Sequence, residues 1–385
     1  MWWSRRQVIQ NKIVAKNFQH YFSTEPGRLR SLSPDKLAMD YARHVWGDSD
    51  GKSGLAGRAQ SRRARFHVCL AVRNTGLPSL TKRAALVSDT LLLTHSRHEA
   101  DVFHQMGTYH SLIGADHGDG FTAMSQAGHF AKLKVGFHCP SLEDLGQWIA
   151  DAEPLLRSGL AWYLPRYEME TYETYSDRES NSKIEAKCNT IDSPRYLSPA
   201  ARFLVDSGRA VDASGIHPNT SRIVRPILEI NLPFLEGVGL RDFSDITISE
   251  FDAYSGFREF LRCKLLEVDD ALNVVQSDRE LMKIAAEITD QVRGIGSQMR
   301  TVRRRRSVAA SGAAVGAVGA VLAAVYGPAF EEALKLIGVG SGLWGVIDAA
   351  AGNSTRQLRE DKWYYVWALS QKTGSSDGPI DQILW

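Results

Sequence analysis

Between Arg303 and Phe330 the chain reads RRRRSVAASGAAVGAVGAVLAAVYGPAF, four arginines and then 24 residues without a charge. A run like this either faces lipid or is packed closely against other protein. As a helix, Ser307 to Phe330 would extend about 36 Å at ~1.5 Å per residue, against a bilayer hydrocarbon core of roughly 30 Å. The charge asymmetry fits insertion: Arg303, Arg304, Arg305 and Arg306 would meet anionic headgroups at the cytoplasmic face, and Glu331 and Glu332 close the other end. The hydrophobicity is weaker than the length. Val308, Val315, Val318, Val321, Leu322, Val325 and Phe330 are the strong inserters, and at ~0.3–0.6 kcal/mol each they supply only a few kcal/mol. Ser307, Ser311, four glycines and Pro328 oppose them, so insertion as an isolated helix is marginal.

The glycines are ordered. Gly312, Gly316 and Gly319 form a GxxxGxxG ridge that lets helix backbones approach closely, with Val315, Val318 and Leu322 beside it. YGPAFEE then reads as a turn, and LIGVGSGLWGVI (336–347) as a second glycine-rich arm too short to span alone. The expectation is an apolar helical hairpin over 307–352, conditionally or permanently at the inner membrane. The tail 353–385 carries Trp363, Tyr364, Tyr365 and Trp367, which suit an interfacial belt or a cap on the hairpin.

Upstream, TISE resembles a capping box, with Glu250 three residues after Thr247. A helical pattern is expected from there to about Val302. Leu261, Leu265, Val268, Leu272, Val275, Arg279 and Met282 keep 4-3 spacing; one stammer through Ala285 and Ile288 leads to Val292, Ile295, Met299 and Val302. RGIGS (293–297) is the expected bend. The spacing suits a core-facing helix pair or an inter-chain coiled coil, with self-association through helices in 250–325.

The N-terminal two-thirds is of mixed character. Residues 1–46 read as helical: Ser33 can cap, Pro34 suits the first helical position, and Leu37, Tyr41 and Val45 recur at helical spacing. SRRQVIQ echoes a twin-arginine signal, but Asn11, Lys12, Lys16 and Asn17 interrupt the apolar region an export signal needs. Residues 47–64 have linker composition and include Arg58, Arg62 and Arg63. Strands are expected at 65–74, 85–95 and 134–140, then a helix capped by Ser141 with Leu145, Trp148, Ile149, Ala152 and Leu156 on one face. LAWYLPRYEME reads as extended, 171–198 as a polar loop, SPAARFLVDSGRAVDASG as a helix-and-turn unit, and 222–235 as a buried strand stopped by Pro233.

The expected fold class is therefore α+β: a helical extension and linker (1–64), a mixed α/β sensing or binding domain (65–246), a long coiled-coil-like helical region with a basic end (247–306), the Gly/Ala-rich hairpin and the aromatic tail. A net charge of +2 gives no global field for nucleic acid, which is not an expected partner. Cys69, Cys139, Cys188 and Cys263 have no paired spacing, which suits a reduced, cytoplasmic chain. GDSDGKS (47–53) is one residue short of a P-loop and follows a helical pattern, so no nucleotide is expected there.

No cofactor is expected, with one alternative. Seven of eleven histidines fall between 95 and 138. His95, His98, His104, His110 and His117, with nearby carboxylates, are the residue types a divalent metal would want, but no HExxH or other metallohydrolase spacing is present. There is no GxSxG elbow and no GxGxxG after an expected strand, so no catalytic residue is assigned.

LGQWIADAEPLLRSGLAWYLPRY (145–167) and VRPILEINLPFLEGVGLRDFSDITISEFDAYSGFREFLR (224–262) resemble a group of uncharacterised actinobacterial proteins of similar length. The glycine-rich segment and REDKWYYVWAL fit the same group, so the resemblance covers most of 85–370. It implies no catalytic residues. Segment 300–350 is also broadly similar in composition to the hairpins of membrane-active toxins and immune effectors. The leading expectation is a membrane-associated protein in which a cytoplasmic α+β domain controls the hairpin, of the kind used by defence or toxin effectors. The alternatives are a soluble interaction module with a buried hairpin and a metal-dependent enzyme using 95–138.

Overall fold

The computed structural model describes residues 8–24, 26–47, 55, 66–73, 76–96, 102–111, 130–176, 183–192, 202–206, 209–212, 218–268, 274–310 and 361–373. The fold is α+β, and the chain divides into two compact units. The first holds most of residues 1–229 with 239–248; the second holds 230–238, 249–264 and the chain from 268 onward.

The first unit opens with α1 (Lys12–Thr24), α2 (Pro26–Ser31) and α3 (Pro34–Gly47). Asn11 caps α1, its side chain accepting from the N–H groups of Ile13 and Val14. The spacing of apolar residues is realised as packing: Val14, Phe18 and Tyr21 are buried on α1, and Leu37, Tyr41 and Val45 on α3. Of the expected linker, only Leu55 lies among the described residues between 48 and 64, and it is buried.

Two sheets follow. Sheet A has the order β5-β2-β1-β8-β9, built from β1 (His67–Val72), β2 (Thr90–His95), β5 (Ala161–Tyr163), β8 (Arg202–Asp206) and β9 (Arg209–Asp212). The first four are parallel neighbours and β9 is antiparallel to β8. The sequences explain this. HVCLAV, TLLLTH and AWY are short, nearly unbroken apolar runs, the signature of strands covered on both faces. The helix α4 (Leu77–Ala85) connects β1 to β2. Thus only part of the expected strand 85–95 is strand: Ala85 ends α4, and pairing starts at Thr90.

Sheet B is antiparallel, with the order β3-β4-β6-β7: β3 (Val102–Ser111), β4 (Phe130–Cys139), β6 (Arg166–Ser176) and β7 (Lys183–Asp192). Alternating sequences such as RYEMETYETYS suit such a sheet. Two helices, α5 (Leu142–Asp151) and α6 (Glu153–Ser158), link β4 to β5. The expected cap holds, with Ser141 Oγ accepting from the Asp144 N–H at 3.1 Å. Gly159, at φ 73°, ends α6 in the left-handed conformation and turns the chain into β5.

Several expectations are corrected. Residues 171–198 are not a loop throughout, because β6 and β7 pair through them. The expected helix-and-turn at 198–215 contains the β8–β9 hairpin. The expected strand at 222–235 is α7 (Pro218–Glu229), with Pro226 inside it. Ile223, Val224, Ile227 and Leu228 are buried at helical spacing while Arg225 and Glu229 are exposed, so tertiary burial outweighs the proline's cost. Pro233 opens a 3-10 turn, Pro233–Leu235.

The single helix expected from Thr247 is three: α8 (Leu240–Ser249), α9 (Phe251–Glu267) and α10 (Val274–Ala310). Thr247 is buried in the last turn of α8 rather than serving as a cap. Among the described side chains of α10, Leu281, Ile284, Ile288 and Ile295 are buried, while Met282, assigned to the apolar seam, is 71% exposed. The buried stripe keeps Ile288 and Ile295 of the expected seam but substitutes Leu281 for Met282 and Ile284 for Ala285, one position away in its first turns. RGIGS does not break the helix. A Cβ on Gly296 would lie 3.5 Å from the Trp367 ring, so this glycine marks where an aromatic side chain packs.

Within the second unit, α9 and the 3-10 turn form an aromatic cluster with α11 (Lys362–Thr373). Phe234 meets Phe257 edge-on at 5.8 Å, Phe260 meets Trp363 at 4.8 Å and Tyr254 meets Tyr365 at 5.3 Å between ring centroids. Trp363, Tyr364, Tyr365 and Trp367 are all buried.

Candidate functional site

Because β5, β2, β1 and β8 run parallel, their carboxyl ends share one edge of sheet A. The last paired level sets Val72 beside His95 and Val205. The ladder continues one residue further: the Ser96 N–H donates to the Val72 carbonyl at 2.9 Å, and the Arg73 N–H donates to the Val205 carbonyl at 3.0 Å. Arg73, Ser96 and Asp206 therefore share the next level. Side chains alternate along strands, so these three point toward one face and His95 and Tyr163 toward the other.

His95 and Tyr163 form a buried pair, with imidazole Nδ1 2.8 Å from the phenol oxygen. The Tyr163 backbone is held in turn by the Tyr41 hydroxyl, donating to its carbonyl at 2.7 Å. On the other face, Arg73 Nε and Ser96 Oγ are buried with no hydrogen-bond partner among the described residues. Arg73 is a permanent cation with a planar set of donors, and Ser96 offers a hydroxyl. The pair is chemically suited to an oxyanion.

Sheet B carries a second polar pair. His138 on β4 sets Nε2 3.0 Å from Glu168 Oε2 on β6, and the Glu168 side chain is fully buried. Glu170, on the same face of β6, is 6% exposed. His104 occupies the opposite face, where Nε2 lies 3.2 Å from the Cys139 carbonyl oxygen. Burial lowers its pKa, and the neighbouring His138 adds to the shift.

The histidines of the alternative, metal-binding reading are distributed: His95 belongs to sheet A, His104 and His138 to sheet B. His110 lies on β3, but its side chain is outside the described residues, as are His98 and His117. Among the described residues, no three His, Cys, Asp or Glu side chains gather in a metal-holding group. Gly312, Val315, Gly316, Val318, Gly319 and Leu322 lie outside the described residues. Arg303, Arg304, Arg305 and Arg306 fall within α10, and their side chains are outside the described set. No helix among the described residues is long and apolar enough to cross a membrane.

Sequence reasoning missed Arg73, Ser96, Tyr163 and Glu168. The signal for the first two was present: each is the first polar residue after a strand, in LAVRN and LLLTHS. Treating those apolar runs as parallel neighbours would have put both at one edge. Comparison of the chain with protein-family models, curated proteins and solved structures returns no match.

Proposed function

We propose that the chain is a membrane-associating protein of the effector type, in which the α+β unit is a sensing or binding module and the glycine-rich segment 307–352 interacts with the inner membrane from the cytoplasmic side. The observation that carries this reading is the continuity of α10. It runs 37 residues, from Val274 to Ala310, so the arginine cluster and the first apolar residues belong to one helix. An unbroken helix delivers Arg303 to Arg306 as a compact basic end, suited to anionic headgroups. The return of the chain also supports a hairpin. Trp367 of α11 packs beside Gly296 of α10, so the apolar stretch leaves and rejoins the same unit. A membrane excursion tied at both ends in this way favours an even number of crossings or a re-entrant hairpin over a single span.

The test is flotation of the full-length protein with vesicles of neutral or anionic lipid, followed by high-salt and alkaline washes. Wild type is expected to float with anionic vesicles and resist washing. Replacing Arg303 to Arg306 with glutamine should weaken recruitment, and Gly316→Leu should reduce retention after the alkaline wash. A wild type that never floats would sink the reading.

A soluble interaction module is the second reading, favoured by burial of the tail. Trp363, Tyr364, Tyr365 and Trp367 are engaged in packing rather than arranged as an exposed belt. On this reading the glycine-rich arms pack against protein, and self-association through 250–325 survives without lipid. Light scattering of the lipid-free protein separates the two.

A further inference from the structure

We infer that the carboxyl edge of sheet A, across β2, β1 and β8, is a binding site for a small phosphorylated ligand, with Arg73 and Ser96 engaging its phosphate. The inference deepens the reading of the α+β unit as a binding module and rests on it.

The topology comes first. From β1 the chain moves through β2 out to β5, then returns to β8 on the other side of β1. The strand order therefore reverses at the β1–β8 junction, and ligands of open parallel sheets bind outside the carboxyl ends at such a switch point. Here the edge is also elaborated. The β3–β4 pair is inserted after β2, and the β6–β7 pair after β5, so both halves of sheet B originate from chain leaving this edge.

The chemistry comes next. Arg73 and Ser96 stand on adjacent strands at one level and face the same way. Their Nε and Oγ atoms are buried without a partner among the described residues. Buried polar groups are normally paired, so two such groups on adjacent strands next to a switch point are donors awaiting an acceptor. A guanidinium matches the spacing of phosphate oxygens, and a serine hydroxyl completes the contact. Asp206 shares the level on the far side of Arg73. A carboxylate there disfavours a bare anion and favours a ligand that presents a hydroxyl donor next to its phosphate, as a nucleotide or sugar phosphate does.

The test uses full-length protein and two probes, adenosine monophosphate and inorganic phosphate, followed by broadening of their phosphorus NMR signals at constant ionic strength. Wild type is expected to broaden both and to bind the monophosphate more tightly. Arg73→Gln should weaken binding about ten- to a hundredfold, the scale of one charge-assisted hydrogen bond. Ser96→Ala, which removes one oxygen with little change of volume, should weaken it less and serves if the Arg73 variant does not fold. No broadening by wild type overturns the proposal. So does broadening that survives both substitutions but disappears when Arg303 to Arg306 become glutamine, which would move the anion site to the end of α10. Vesicle flotation is scored on the same preparations, so failure here with intact flotation removes the phosphate site and leaves the membrane reading standing.

Discussion

The phenol oxygen of Tyr41 holds both backbone groups of Tyr163: it donates to the carbonyl at 2.7 Å and accepts from the N–H at 3.1 Å. β5 is an outer strand of sheet A. An outer strand presents unpaired backbone groups, and α3 covers this one with a single hydroxyl. Burial pushes the Tyr41 phenol far above its ordinary pKa, so it remains a donor across the accessible pH range. Tyr41→Phe keeps the ring, which stacks on Phe18 at 5.2 Å, and removes only the oxygen. Leaving buried backbone groups unsatisfied should cost about 2–3 kcal/mol in urea unfolding. A loss below about 0.5 kcal/mol would mean that water takes over both bonds.

Gly146 lies inside α5, where helix propensity alone predicts that alanine would stabilise by about 1 kcal/mol. The packing predicts the opposite sign. A Cβ at this position would sit 1.7 Å from the carbonyl oxygen of Pro34, a backbone atom at the start of α3. Gly146→Ala must push α3 away from α5, and a destabilisation of about 3 kcal/mol or more is expected. Equilibrium unfolding decides the sign, and a stabilised variant would show that α3 does not pack this closely.

The legible parts of the fold were those in which one local signal was decisive. Ser141 with Asp144 gave the cap of α5, and the unbroken apolar run of HVCLAV gave β1. The errors arose where signals competed. The apolar run 222–235, stopped by Pro233, suggested a strand, yet Ile223, Val224, Ile227 and Leu228 are buried along a helix that accommodates Pro226. The polar sequences of β6 and β7 suggested a loop, although alternation with polar outer positions is what a one-sided antiparallel sheet allows. The candidate site was less legible than the fold. Arg73 and Ser96 are 23 positions apart in sequence and meet only because β1 and β2 are parallel neighbours in register. The histidine-rich stretch offered a metal cluster as an alternative, and the chain sends His95 into one sheet and His104 into another.

His67 makes stability depend on acid. It opens β1 with Nε2 buried and without a partner among the described residues, and burial lowers its pKa from 6.5 to about 4. Above pH 6.5 the imidazole is neutral in both folded and unfolded chains and has no pH effect. As pH falls from 6.5 toward 4, the unfolded chain takes up the proton first, so stability declines and then levels off below the folded value. At ~1.4 kcal/mol per pKa unit, the full decline is at most roughly 3 kcal/mol. His104, also lowered by burial, acts with the same sign. His67→Phe should flatten the unfolding free energy across this window without abolishing the part due to His104. An unchanged slope would assign the acid sensitivity elsewhere.

Tyr365 links the two readings of the C-terminal region. It is fully buried, with its ring 5.3 Å from Tyr254 and 6.0 Å from Phe257, so it holds α11 against α9. Tyr365→Ala should destabilise the second unit by about 3–5 kcal/mol, the usual cost of truncating a buried aromatic side chain. It would also loosen the return anchor of the apolar stretch and expose Trp363 and Trp367. On the membrane reading, the substitution raises flotation with anionic vesicles above wild type, because freed tryptophans favour the lipid interface and the glycine-rich segment loses one tether. On the soluble reading the same exposure drives association between chains, and light scattering rises equally with and without vesicles. An intact α11, with neither measurement changed, would show that Phe260 and Trp363, 4.8 Å apart, suffice to hold the tail.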